Sequence, residues 1–386
     1  MLRKGLFWLH LAAGVSAGLV VFIMCVTGAL LGFERQIVAW ADRGPYRSAP
    51  PPGAQRLDVE TLLAKLPEPP STLTLRSSPV EPAEAGYGRE RTVYLNPYTG
   101  SILGEGSKGI HDFFQQVTNW HRWLATSTEN RAAGRAITGA CNLLFLLLIL
   151  SGPFLWLSRR FSWQHVKPIL MFRSRISGKA RDFNWHNVLG IWTAIPLAVI
   201  VASSVVMSYG WANNLLYTLT GTQAPQQGAR ASGGQGGPVP RPGGQRGERR
   251  PPNYAGLNAL WTRAESQVPG YRSISLRLDG PAVFTIDSGS GGQPDKRGTL
   301  TIYRRTGETG NWEPFSSLNA GRRLRSFARF AHTGEAGGIP GQVVASVATA
   351  SGAFLAYTGI ALAFRRLLAW RARRSSRERE TAAVAM

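Results

Sequence analysis

Residues 1–35 read MLRKGLFWLHLAAGVSAGLVVFIMCVTGALLGFER, and this stretch decides the fold class. Leu6–Phe33 carries no acidic or basic side chain except His10, and it exceeds the ~20 apolar residues that cross a bilayer. Ala136–Leu157, Val188–Tyr209 and Ile339–Phe364 repeat the pattern without a charge. Four such stretches define a helical membrane protein.

The chain has 386 residues, with 44 Lys+Arg against 22 Asp+Glu and a formal net charge of +22. In a soluble chain that excess points to nucleic acid. Here the cations flank the spans instead. Arg3 and Lys4 precede the first span. Arg159, Arg160, Lys167, Arg173, Arg175, Lys179 and Arg181 lie between the second and third. Arg365, Arg366, Arg371, Arg373, Arg374, Arg377 and Arg379 follow the fourth. The positive-inside rule makes these segments and both termini cytoplasmic, and places 34–135 and 210–338 outside. The expected partner of the charge is the lipid bilayer, with no nucleic acid. Ala39-Trp40-Ala41 resembles a cleavage site, but Glu34, Arg35 and the length of the preceding apolar run favour a retained span. Cys25 and Cys141 both fall in spans and no CxxCH occurs, so no disulfide framework and no covalent haem attachment is expected.

The expected organisation is a first span (1–35), an outer α+β module (36–110), an amphipathic segment (111–130) and a second span (131–158). A basic inner loop (159–184) leads to the third span (185–212) and a Gly/Pro-rich, disordered linker (221–253). A second outer α+β module (254–320), an outer segment (321–338), the fourth span (339–364) and a basic tail (365–386) complete the chain. The two halves echo each other. Trp8-Leu9-His10 before Gly14 matches Trp185-His186 before Gly190, and Ser151-Gly152 matches Thr358-Gly359, so a duplicated two-span unit is expected. Helices are expected at Asp58–Lys65 and Leu257–Glu265. Strands are expected at 92–95, 101–104, 273–278, 282–286 and 299–303, with Asn96–Gly100 as a turn.

The six histidines are the most informative polar residues. His10 and His186 begin the first and third spans, at matching depth. His121 and His332 precede the second and fourth, again at corresponding places. Two opposed imidazoles in a helical bundle suit a bis-histidine haem. Gly14 and Gly190, one turn after His10 and His186, would clear space for a flat porphyrin. Glycine stripes also mark plain helix packing, and a membrane-edge histidine can be a simple interfacial residue, so the pattern alone leaves both readings open. His111 points about 80° away from His121 if both lie on one helix, and reads as a substitute ligand or a surface residue. Zinc fits less well, because the candidates split between two membrane faces. No nucleotide-binding fingerprint occurs, and the inner segments are too short for a flavin or nicotinamide domain.

The motifs WLHLAAG, NWHRWL, NWHNVLG and AHTG, with the hairpin TVYLNPYTGSILG, resemble the PepSY-associated transmembrane family of bacterial inner membranes. Within it the chain most resembles the FoxB-type ferrisiderophore reductases. The resemblance implies a four-helix membrane bundle with two periplasmic PepSY-like modules and two b-type haems. His10 and His186 would hold the cytoplasmic-side haem, and His121 and His332 the periplasmic-side one. Ferric siderophore would be reduced from Fe(III) to Fe(II) in the periplasm, with a quinol or a separate reductase as electron donor. Trp120, Trp123, Tyr98, Arg131, Arg135, Arg325 and Arg329 are candidates to line that face. Asn96 stands where the PepSY hairpin commonly has aspartate. The competing expectations are a non-enzymatic membrane protein that binds or regulates a periplasmic peptidase or uptake partner, and an electron carrier whose acceptor is a protein.

Overall fold

The structure is a computed structural model that describes residues 1–88, 91–156, 163–225, 254–279, 282–302 and 309–384. Arg159, Arg160, Tyr303 and nearly all of the expected 221–253 linker lie outside the described residues. The elements in chain order are α1 (Leu2–Leu31), α2 (Glu34–Arg43), α3 (Val59–Ala64) and β1–β4 (Thr72–Arg76, Ala83–Tyr87, Arg91–Leu95, Ile102–Glu105). Then come α4 (Lys108–Trp123), α5 (Arg131–Trp156), α6 (Trp163–Leu170), α7 (Gly178–Ser208), α8 (Gly210–Leu219) and α9 (Leu257–Gln267). The chain closes with β5–β8 (Ser273–Arg277, Ala282–Asp287, Arg297–Ile302, Thr309–Pro314), α10 (Ala320–His332) and α11 (Gly338–Val384). They form two units, one from Met1–Phe33, Phe114–Ala212 and Ala331 onward, the other from Glu34–Phe113 and Asn213–Phe330.

In the first unit α1, α5, α7 and α11 include the segments long and apolar enough to cross a membrane. They pack as a closed ring, α1 on α5, α5 on α7, α7 on α11 and α11 on α1. Val15, Leu19 and Leu30 of α1 and Ile195 and Val199 of α7 are exposed, as an apolar solvent requires of a bundle's outer surface. Inside, small residues let the helices approach. A side chain at Gly18 would press on Ile360 at 3.0 Å, and one at Gly352 on Cys25 Sγ at 2.8 Å. Gly32 sits directly under Ser346. The first span's glycines therefore serve mainly to seat α11. Two helices outrun their expected spans. The segment before 185 joins α7 because buried Asp182 ties its first turns to Arg365 of α11 at 2.8 Å. The basic tail continues α11, since its Arg, Ala, Leu and Glu are good helix formers with no Gly or Pro to stop them.

The second unit departs from the two expected modules. Its strands make one antiparallel sheet in the order β4-β3-β2-β1-β5-β6-β7-β8, so each outer segment supplies one half. Alternation puts Leu73, Leu75, Ile274, Leu276, Phe284, Ile286 and Leu300 on one face, where α3 and α9 cover them with Leu62, Leu63, Leu257 and Trp261. Standing alone, each module would expose β1 or β5 as an unpaired edge; pairing the two removes both edges. The hydroxyls of Thr74 and Ser275 meet across this seam at 2.7 Å. Helices α3 and α9 cap each other above it. Asn258 Oδ1 accepts from the Glu60 amide and Glu60 Oε1 from the Asn258 amide, both at 3.0 Å. Asn96 shapes its turn by accepting from the Tyr98 and Thr99 amides, at 2.8 and 3.2 Å. An aspartate would do the same.

A Thr74→Cys, Ser275→Cys double variant should form a disulfide across the seam on mild oxidation, because the two side chains face each other at bonding reach. A gel-mobility shift reversed by reductant checks this. Failure to cross-link would mean that the halves do not share a sheet.

Candidate functional site: two histidine pairs

Each of the four span-associated histidines presents its Nδ1 to a hydrogen-bonding group on a neighbouring helix. His10 of α1 meets Ser151 Oγ of α5 at 2.7 Å, and His186 of α7 meets Thr358 Oγ1 of α11 at 2.9 Å. His121, near the end of α4, meets the Met24 carbonyl of α1 at 3.0 Å; His332, the last residue of α10, meets the Ile200 carbonyl of α7 at 2.8 Å. Thr27 Oγ1 adds a 3.0 Å contact to His121 and Ser203 Oγ a 3.4 Å contact to His332. Met24 and Thr27 follow His10 at the same spacing at which Ile200 and Ser203 follow His186, so the duplication extends to the bonds that hold the imidazoles.

Three of these partners fix the tautomer. A carbonyl only accepts, so His121 and His332 must carry the hydrogen on Nδ1. The Thr358 hydroxyl already donates to the Phe354 carbonyl of its own helix at 2.7 Å, which leaves its oxygen to accept from His186. Every hydrogen bond these imidazoles make among the described residues is at Nδ1. Nε2 therefore carries the lone pair in His121, His186 and His332, and His10 stands at the matching place with Ser151 at its Nδ1. An imidazole with Nδ1–H given to an oxygen and Nε2 unprotonated is the form that binds a metal.

His121 and His332 come together, their ring centroids 6.3 Å apart and their planes at 56°. Two imidazoles sharing one metal atom, with bonds of about 2.0 Å and about 1.2 Å from nitrogen to ring centre, have centroids at most about 6.4 Å apart, so the observed separation is within reach of a shared metal. A small cavity of about 40 Å³ adjoins the pair, walled by Val21, Cys25, Phe145, Leu197 and Val201. A side chain at Gly28 would sit 3.1 Å from His121 Cε1, so a glycine there keeps the ring in place. His10 and His186 occupy the other end of the bundle on α1 and α7, helices that are not neighbours in the ring. The donor set, the fixed tautomers and the apolar walls fit a bis-histidine metal group.

The chain positions His121 and His332 by the same device. After His121 it reverses through Leu124 and Ala125, both at positive φ (53° and 54°). Non-glycine residues hold that conformation only where surroundings enforce it. Here the Trp123 carbonyl rests on Gly134 of α5, where a side chain would collide, and Thr138 Oγ1 donates to the Arg122 carbonyl at 3.2 Å. After His332 the reversal uses Gly334 (φ 76°), whose backbone lies against Gly341 of α11.

The remaining expected residues go elsewhere. His111 does not join a pair; its Nε2 meets Asp42 Oδ2 at 2.6 Å. Asp42 is buried and also accepts from the Ser107 amide at 2.7 Å, so this contact fastens the start of α4. The space beside Gly190 holds the Trp156 indole, and a side chain at Gly14 would meet Leu148 at 3.9 Å. Tyr98 donates to the Pro79 carbonyl at 2.9 Å, Arg325 to Asn213 at 3.0 Å, and Arg329 lies over Phe330. Trp120 is exposed. Ser151 and Thr358 carried a signal in the sequence, since both stand before glycine near the ends of the even spans. Their role as partners of His10 and His186 emerges only from the packing.

Four helices long and apolar enough to span a bilayer, with a separate antiparallel sheet unit, define a multi-pass membrane protein. The chain belongs to a family described as the PepSY-associated TM region, whose model matches residues 7–366. No curated protein matches it.

Gly134→Ala should lower stability by about 1–3 kcal/mol by pushing on the Trp123 carbonyl. Gly109→Ala, in open space on α4, should be neutral or raise it by up to about 1 kcal/mol. Thermal unfolding of the detergent-solubilised protein compares them. Asp42→Ala should leave both histidine pairs intact while the Ser107 amide loses protection from hydrogen exchange.

Proposed function

We propose that the chain is a di-haem b-type electron-transfer protein of the bacterial inner membrane that reduces ferric siderophore from Fe(III) to Fe(II) on the periplasmic side. The observation that carries the reading is the His121–His332 pair: centroids 6.3 Å apart, each Nδ1–H committed to a helix carbonyl. His10 and His186 are braced in the same way at the other end, which the flanking arginines and lysines assign to the cytoplasm, with both termini. His10 with His186, and His121 with His332, would hold one haem each. Haem held by two histidines offers a one-electron Fe(III)/Fe(II) couple and no open coordination position for substrate.

The protein's own contribution is placement. Thr358 and the Met24 and Ile200 carbonyls keep Nε2 of His186, His121 and His332 unprotonated and aimed, and Ser151 holds Nδ1 of His10. Val21, Phe145, Leu197 and Val201 keep water from the pair beside them. Each ferric ion takes one electron, and its hard oxygen ligands hold Fe(II) less tightly, which releases the iron. A quinol, which gives two electrons and two protons, would serve two ferric chelates; a separate reductase is the other class of donor.

Protein purified in detergent after expression with ample haem should show a Soret band that shifts on dithionite reduction, with about two haems per chain. His10→Ala or His186→Ala should remove one haem, and His121→Ala or His332→Ala the other. Stopped-flow mixing of the reduced protein with a ferric siderophore should reoxidise it. Colourless protein would overturn the reading in favour of a non-enzymatic partner-binding role.

A further inference from the structure

Most cations of the helical unit stand at the His10–His186 end, where the charge rule accounts for them. Arg122, Arg131 and Arg135 do not; they stand beside His121, at the other end. Arg122 and Arg131 place their guanidinium carbons 4.8 and 4.7 Å from the centre of the Trp123 ring. A cation against the face of an indole is attracted by its quadrupole, so Trp123 holds two positive groups in fixed positions. The indole is itself held, because its backbone carbonyl rests on Gly134 and the next two residues form the positive-φ reversal.

Arg135 lies one turn beyond Arg131 on α5, and both are exposed. Like charges at this spacing repel. Among the described residues no ion pair engages Arg131 or Arg135, and Glu129, the carboxylate in the preceding loop, is exposed and equally unengaged. The result is an exposed positive patch that begins one residue after His121, with Arg122 and Arg131 held against Trp123.

We propose that Arg131, ordered on Trp123, and Arg135, one turn further along α5, form a docking patch for an anionic ferric chelate, one whose ligand carries surplus carboxylate or catecholate charge. Guanidinium groups bind such oxygens with charge-assisted, often paired hydrogen bonds. The position beside His121 brings the chelated iron to the pair that would reduce it. The patch rests on the reductase reading for the identity of its ligand, and the charge preference is its own property: anionic ferric chelates are selected over neutral or cationic ones.

The test is equilibrium binding of two ferric chelates, a tris-catecholate and a neutral tris-hydroxamate, to the full chain in detergent. The anionic chelate should bind at least about tenfold more tightly at low salt, and the difference should shrink as salt screens the patch. Arg131→Gln with Arg135→Gln should remove the preference, and Arg131→Lys with Arg135→Lys should keep most of it. Equal affinities in the wild type, or a preference unchanged in the glutamine variant, overturn the proposal. Loss of haem from that variant with chelate binding intact also overturns it, by assigning the arginines to propionates. The reductase reading is judged separately, by whether either chelate reoxidises the reduced protein. If neither does while the charge preference persists, that reading fails and the patch stands.

Discussion

An imidazole N–H inside an apolar bundle has no water to receive it, and leaving it unpaired costs several kcal/mol. That constraint organises the helical unit. Each of the four histidines turns Nδ1 to a neighbouring helix: α1 to α5, α7 to α11, α4 to α1, and α10 to α7. Two of these bonds tie ring neighbours together, and the other two fasten α4 and α10 to the ring. In His121, His186 and His332 they fix the tautomer as well, and so decide which nitrogen is left to act as a ligand.

The duplication works at several levels at once. Each half supplies two spans, a histidine at the start of its first span, and a second histidine at the end of an amphipathic helix, followed by a reversal set on a glycine of the next span. The halves solve the reversal differently: Gly334 adopts positive φ without strain, while Leu124 and Ala125 are driven into it. The strained version is the one braced by Gly134, Thr138 and the cations around Trp123.

The spans and the meeting of His121 with His332 were legible in the sequence because hydropathy and matched spacing are one-dimensional signals. Five of the eight strands among the described residues were legible for the same reason. Thr72–Arg76 was missed although it alternates, Ala83–Tyr87 because alanine and glycine carry little strand preference, and Thr309–Pro314 because glycine and proline interrupt it. The single sheet was out of reach, since pairing β1 with β5 joins segments from the two halves of the chain and leaves no local mark. His111 could not be placed from sequence either: its partner Asp42 is distant in the chain, and only burial of that carboxylate makes the contact specific. Ser151 and Thr358 were visible as an echo, but what the echo was for required a neighbouring helix.

The seam between β1 and β5 has a further consequence. Were the two halves separate chains, the same strand pairing would be a dimer contact, weakened by dilution and opposed by lost translational freedom. Tethered in one polypeptide, each edge meets the other at a high effective concentration set by the connecting chain. The pairing of one half with the other is therefore independent of how much protein the membrane holds, and each molecule carries both members of every histidine pair from the moment it folds.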